Sequence, residues 1–391
     1  MSDDTANWRD YLAILAQAGE TIDLLKDPAD GQARQEAYRL LFASLASGYF
    51  SGFATPDAPD FVPLVNSVLN GIGTNPDFIY GYARIDGAGA YRISGARGSG
   101  IFLLFDFAAG GLGVMDHLGP STGVLDADTL TIGADGAFDV VLSAERPAGH
   151  AGDWFRLDLR TTTIGIRQAA YDWGQANEAR LAIERLDRPI GTARLGAAEI
   201  AARLNRLAAY PRRFSAFALS HYKGLRERNV INRLEHDDWA GRGGLAGQHY
   251  FQGIFDLAPG QALLLETALP ARARYWNVQL NDSLWNSIDW LNHGSSLNGG
   301  QAVLDPDGRF RAVIAAEDPG VPNWLDPAGH MTGSMMLRWT EASDTPAPTL
   351  TLLPLNEIRS ALPPGTPEIT PETRQQILRD RRRGAQLRRR W

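Results

Sequence analysis

Apolar positions recur near every third or fourth residue between about Trp8 and Phe50. Leu12, Ile14, Leu15 and Ala18 form one group, and Tyr38, Leu41, Phe42 and Leu45 form another. This spacing predicts helices, interrupted by the turn "DPADG" at Asp27–Gly31. From "NPDFIYGYARID" onward the pattern shortens to "AYRISG", "GIFLLFDF", "TLTIG", "FDVVLS" and "TTIGIRQ", separated by Gly, Asp and Pro. Such short runs between turn residues predict strands of an all-β unit. Helical spacing returns in "GAAEIAARLNRLAAY" and "FSAFALSHYKGLRERNVINRL". Pro211, between these runs, is expected to end or kink the first helix because it lacks a backbone donor. Strands then resume with "HYFQGIFDL", "ALLLETAL", "YWNVQL", "FRAVIAA", "SMMLRWTE" and "TLTLLPL", before a Pro-rich exit into a basic C-terminal helix.

The two strand-rich stretches echo each other. "ADGAFDVVLS" precedes "ERPAGHAGDWFRLDLRTTTIGIRQ", and "PDGRFRAVIAA" precedes "DPGVPNWLDPAGHMTGSMMLRW". Gly136 lies 18 positions before Trp154, and Gly308 lies 16 before Trp324. From each Trp to the next strand arginine, Arg167 or Arg338, is 13 and 14 positions. Phe105 and Trp276 stand 31 and 32 positions ahead of the two glycines. Matched spacing predicts an internal duplication, with the two β units packing sheet on sheet. The expected organisation is a helical N-terminal region (1–70), a first β-sandwich (75–180), a helical connector (190–240), a second β-sandwich (245–355) and a tail (356–391).

Composition alters this picture little. The chain has 391 residues, 44% hydrophobic and 21% charged, as in ordinary globular proteins. It has no cysteine, which removes disulfide and thiolate chemistry. The N-terminal segment is acidic and lacks the basic and apolar regions of a secretory signal, and no apolar run approaches a membrane span. A cytoplasmic location without membrane association is expected. Net charge is −7, yet Pro371–Trp391 holds eight arginines against Glu372 and Asp380, leaving −13 on the rest. An acidic body opposes nucleic-acid binding. The tail is therefore read as an arm on the acidic body or on a sister subunit, through which a homo-oligomer could form.

Several of these motifs resemble the bacterial proteins grouped as domain of unknown function 1214. "TNPDFIYGYARID…YRISGARG" and "RQAAYDW" resemble the N-terminal part, and "ARYWNVQLNDS…DPDGRF…DPGVPNWLDPAGH" resembles the C-terminal region. The most specific element is "NWL" at Asn323–Leu325, followed here by Asp326 where the family pattern continues with proline. The likeness runs from about Asn75 to Trp339. It implies a β-rich, jelly-roll-like fold and transfers no reaction or catalytic residue. The expected class is thus mainly β with helical additions: two tandem jelly-roll-like β-sandwich domains joined by a helical connector.

Residue types common to both copies, such as Trp154/Trp324 and Arg167/Arg338, are read as structural. Candidates for chemistry are those peculiar to one copy. His330 follows Asp326 by four residues in "LDPAGHMTG", and a carboxylate beside an imidazole suits acid–base chemistry. "LNDSLWNSIDWLNHGSS" adds Asp289 and His293, with Trp285 and Trp290 as apolar walls. Asn277, Gln279 and Asn281 share one strand face at period two, and an amide-lined face beside tryptophans resembles a ligand pocket. The histidines show no zinc spacing, and no phosphate loop or nucleophile elbow appears. Neither a metal nor a cofactor is expected. These features point to a cofactor-independent hydrolase or lyase acting on a small, largely apolar molecule, cyclic or aromatic ones included. His330 or His293 would be the acid/base, Asp326 or Asp289 its orienter, and Asn277, Gln279, Asn281, Trp285 and Trp290 would hold the substrate. The alternative is a non-catalytic protein that binds a small molecule or carbohydrate, or serves as a scaffold.

Overall fold

A computed structural model describes residues 6–239 and 243–388. Helix α1 (Trp8–Ala16) begins at Asn7, whose side chain accepts from the Arg9 and Asp10 amides while Asp10 accepts from the Asn7 amide. Such reciprocal capping satisfies donors that the first turn leaves open. A 3-10 segment (Gln17–Leu24) leads to α2 (Gly31–Phe53), capped by Asp30.

The first β half contains β1 (Val62–Pro63), β2 (Phe78–Arg84), β3 (Tyr91–Ala96), β4 (Phe102–Ala108), β5 (Ser121–Asp126), β6 (Ala137–Ser143), β7 (Asp153–Arg156), β8 (Thr163–Ala169) and β9 (Arg180–Arg185). They form a five-stranded sheet, β1-β2-β8-β4-β5, and a four-stranded sheet, β7-β6-β3-β9. After α3 (Ala197–Glu227) come β10 (Glu235–Asp237), β11 (Gln248–Asp256), β12 (Gln261–Thr267), β13 (Tyr275–Asn281), β14 (Ser296–Asn298), β15 (Phe310–Ala315), β16 (Trp324–Leu325), β17 (Thr332–Thr340) and β18 (Thr349–Pro354). Their sheets run β10-β11-β17-β13-β14 and β16-β15-β12-β18. Each strand of the first half thus has a counterpart nine strands later in the same position.

Registers agree as well. Trp154 pairs with Val141, five residues past Gly136, and Trp324 pairs with Val313, five past Gly308. Both indole N–H groups donate seven residues past the glycine, to Ser143 Oγ and to the Ala315 carbonyl. Gly136 and Gly308 have φ of 81° and 76°, a conformation that glycine adopts without penalty.

Alternation explains the two cores. In the first half Ala83, Phe105, Phe107, Ile164 and Ile166 meet Tyr91, Ile93, Val140 and Leu142 between the sheets. In the second, Phe255, Val278, Leu280, Met335, Leu337 and Trp339 meet Leu263, Leu265, Phe310 and Ile314. Each five-stranded sheet keeps its other face for partners outside its own sandwich. β structure also overruns the expected boundaries: β9 extends to Arg185, and β10 begins at Glu235. β9 is an edge strand whose alternating exposure follows "RLAIER".

Pro211 does not break its helix. α3 runs unbroken from Ala197 to Glu227 with Pro211 inside. The cost of the missing donor is carried by packing, since Ala208, Tyr210, Ser215, Ala218, Leu219 and Tyr222 are buried along its length. After a short α4 (Ile358–Ala361), α5 (Pro371–Leu387) starts at a Thr370 cap with proline in the first turn. It lies on its own chain and spans both halves. Arg374 pairs with Asp318 at 2.8 Å, and Arg388 pairs with Glu178 at 2.6 Å. Leu378 is half-buried, and Trp391, the other apolar residue on which packing of the arm is expected to rest, lies outside the described residues. No helix among the described residues is long and apolar enough to cross a membrane.

Candidate functional site

The amide stripe of β13 faces away from the second core, as period two requires, and is wholly buried. Asn277, Gln279 and Asn281 are each 0% exposed. None of them lines the cavity between the first five-stranded sheet and helices α2 and α3. Arg338, on the neighbouring β17, donates to Gln279 Oε1 at 2.6 Å, to Asn277 Oδ1 at 3.3 Å and to the Gly73 carbonyl at 2.6 Å. Gln279 Nε2 donates to Asn281 Oδ1 and to the Thr74 carbonyl. Asn277 Nδ2 donates to Asn75 Oδ1, and Asn75 and Asp77 both bind the Tyr275 hydroxyl. The stripe is thus a polar seam that ties the second sheet to residues 73–77 of the first half. Buried amides need partners, and the protein supplies them for both ends of the Asn277 and Gln279 side chains, while Asn281 Nδ2 has none among the described residues.

The tryptophans also part company. Trp285 stacks on His221, centroids 3.7 Å apart, and on Trp239 at 5.6 Å. Trp290 instead meets Trp173 edge to face at 5.6 Å, beneath Ala385 of α5. They do not wall one site.

Of the acid–base candidates, the structure joins His293 to Asp326, Nδ1 to Oδ2 at 2.7 Å. Asp326 therefore orients His293, not His330 as its spacing suggested. The reason is local: the 326–330 turn closes through Asp326 Oδ1 to the Ala328 amide and the Pro327 carbonyl to the His330 amide, leaving Oδ2 for the other loop. Asp289 is used by the Asn292 side chain and backbone. His330 belongs near Asp282, whose carboxyl burial pushes up while bonds from Asn286 and the His330 charge oppose the rise.

A ligand-sized concavity lies elsewhere. A cavity of about 470 Å³ separates the outer face of the first five-stranded sheet from α2 and α3, within the range of ligand sites. Helix α2 presents Ser44, Ser47, Gly48 and Ser51, small residues at helical spacing that leave the space open. Tyr82, Leu207, Tyr210 and Phe214 form apolar walls. The sheet contributes Tyr80, Tyr82 and Arg84 from β2, Asp106 from β4, and Gly165 and Arg167 from β8. At the centre of this face Tyr82, Gly165 and Asp106 lie side by side in register. A Cβ on Gly165 would meet nothing closer than 3.8 Å.

Asp106 Oδ2 stands 3.3 Å from Arg167 Nη1, and the side chains retain 19% and 24% of their exposure. Both line the cavity. Burial pushes the Asp106 carboxyl above its usual range despite Arg167. Burial works against the Arg167 charge, but Asp106 and Tyr80 outweigh it and hold its pKa up. Burial also raises Tyr80. Among the described residues, no group of three or more His, Asp or Glu is arranged to hold a metal.

The family model described as "Protein of unknown function (DUF1214)" matches residues 256–344. A solved structure of an uncharacterized protein from Burkholderia cenocepacia is similar at 31% identity with a TM-score of 0.84, covering 91% of this chain and 97% of that one. The chain belongs to the DUF1214 family. A Vibrio parahaemolyticus protein is a distant structural neighbour, at 12% identity and a TM-score of 0.45, covering 85% of this chain and 100% of that one. No curated protein matches the chain.

The DUF1214 match takes in His293, Asp326 and Arg338 but not the sheet face that floors the cavity. Sequence reasoning missed that floor. Arg167 was set aside because Arg338 repeats it, and both do occupy the same register, each flanked by a tyrosine, Tyr80 or Tyr250. The informative difference sits beside them. Asp106 corresponds to Gln279, and Gly165 to Met336. A lone carboxylate in "FLLFDF" and a glycine within a strand were the available signals.

Proposed function

We propose that the chain binds a small, largely apolar molecule in the cavity between the first-half sheet and helices α2 and α3. The observation that carries this reading is the apolar-walled space of about 470 Å³ with an ion pair, Asp106–Arg167, turned into it. Apolar walls supply affinity through burial, and a few polar groups fix orientation. Where the second half fills the equivalent position with Met336, the first half has Gly165. The identical strand order supports descent of both halves from one jelly-roll-like unit, in which one copy stayed hollow. A cytoplasmic setting, expected from the sequence, belongs to the same reading.

The test is to fill the space. Gly165→Leu adds a side chain where the backbone has room, so the variant should melt like the wild type. It should bind an apolar dye such as Nile red at least about tenfold more weakly, a loss of roughly 1.4 kcal/mol. Unchanged dye affinity in a folded variant would place the ligand elsewhere.

One observation favours a second reading, hydrolase or lyase chemistry on a small apolar molecule. The His293–Asp326 pair has the geometry of an oriented base, with the ring 39% exposed. This dyad does not line the cavity. Turnover of any substrate that survives Gly165→Leu but disappears in His293→Ala would favour it over the binding reading.

A further inference from the structure

The charges on the cavity wall narrow the ligand class. Among the described residues the lining carries three guanidinium groups, Arg84, Arg167 and Arg206, and one carboxylate, Asp106. Asp106 is committed to Arg167. The other two arginines sit at the opposite end. Tyr80, beside Arg167, and Arg84 lie on the same face of β2, four residues apart, which spans roughly 14 Å along a strand. Thr163 and Tyr80 mark the two ends by register, Thr163 beside Arg84 and Arg167 beside Tyr80.

At the Arg84 end the balance of charge is positive. Glu199 accepts from Arg203 Nε at 2.8 Å and reaches Arg206 only at 3.8 Å. The Arg84 guanidinium makes no hydrogen bond or ion pair with the described residues, although its charge helps to hold the Glu199 carboxyl low, after the bond from Arg203. Between the two ends, Tyr82, Leu207, Tyr210 and Phe214 present rings and aliphatic carbon. The cavity is therefore elongated, apolar in its middle, neutralised at its deep end and cationic at the other.

Resting on the cavity being the binding site, we infer that its ligand is an elongated amphiphile with a single acidic head, a medium-chain carboxylate in chemical class. The head pairs with Arg84 and Arg206, and the apolar body runs toward Asp106–Arg167. A carboxylate at the deep end would have to displace Asp106 from Arg167. At the other end it pairs with a guanidinium that has no partner among the described residues, as charge-assisted bonds favour.

Displacement of Nile red by decanoate, decanol and decyltrimethylammonium from the full chain tests this. Decanoate is expected to bind about tenfold more tightly than decanol at low salt. In Arg84→Gln, and independently in the exposed Arg206→Gln, that preference should shrink while decanol affinity stays the same. Equal affinity for decanoate and decanol, tighter binding of the cationic probe, or a preference that survives both substitutions overturns the acidic-head assignment and leaves the cavity reading standing. Failure of all three probes, with Nile red bound equally by wild type and Gly165→Leu, overturns the cavity reading itself. Circular dichroism melts of each variant confirm that the folded protein is being compared.

Discussion

Arg338→Ala is expected to destabilise the protein by roughly 3–5 kcal/mol, more than its counterpart Arg167→Ala. Arg338 is 4% exposed and is the hub of the seam between the halves. Its removal strips donors from Gln279 Oε1 and the Gly73 carbonyl, both of which lie where water cannot replace them. It also removes a cation above the Tyr250 ring, 5.6 Å from its centroid. Arg167 occupies the same register but faces a cavity, so its loss leaves Asp106 room to be solvated or protonated, and a cost of about 1 kcal/mol follows. Chemical denaturation of both variants measures the difference. Equal losses would mean that the seam is no drier than the cavity.

Arg381→Ala should cost roughly 2–4 kcal/mol. Its guanidinium donates to the Trp290 and Ser296 carbonyls and to Ser296 Oγ, and it lies over the Trp173 ring at 4.5 Å. Burial pulls its pKa down to about 10, opposed by the Asp77 and Asp289 charges, so it remains charged at neutral pH. Arg381→Lys should recover little, because an ammonium cannot reproduce the planar fork that reaches three acceptors. Arg382→Ala, on the exposed side of α5, should fall within about 0.5 kcal/mol of wild type. Thermal melts that place Arg381→Ala with Arg382→Ala would show that α5 contributes nothing to holding the halves together.

What could be read from the sequence was what local pattern determines. Period two exposed the strands, and turn glycines at Gly136 and Gly308 anchored an offset that places Trp154 and Trp324 at the same register. The shared face of the β13 amides was legible from period two as well. Their partners could not be seen, because Asn75, Gly73 and Thr74 lie about two hundred positions away. Proximity in sequence misled for His330 and Asp326: four residues in a closed turn put the free carboxylate oxygen toward His293. Propensity misled for Pro211, since tertiary burial of α3 outweighs one lost bond. The cavity was hidden for another reason. A void is defined by what is absent, and although Ser44, Ser47, Gly48 and Ser51 recur at helical spacing, small residues on one face of α2 do not say what lies opposite them.

Arg374 and Arg381 of α5 and Arg388 at its C-terminal cap are spaced seven apart, two helical turns each, so that one face of the helix carries all three of these anchors. They touch the second half, then both, then the first. During synthesis this strut emerges after all eighteen strands have left the ribosome. The seam around Arg338 is complete in sequence before α5 exists, so the three anchors of the strut are the last contacts between the halves that the growing chain can make.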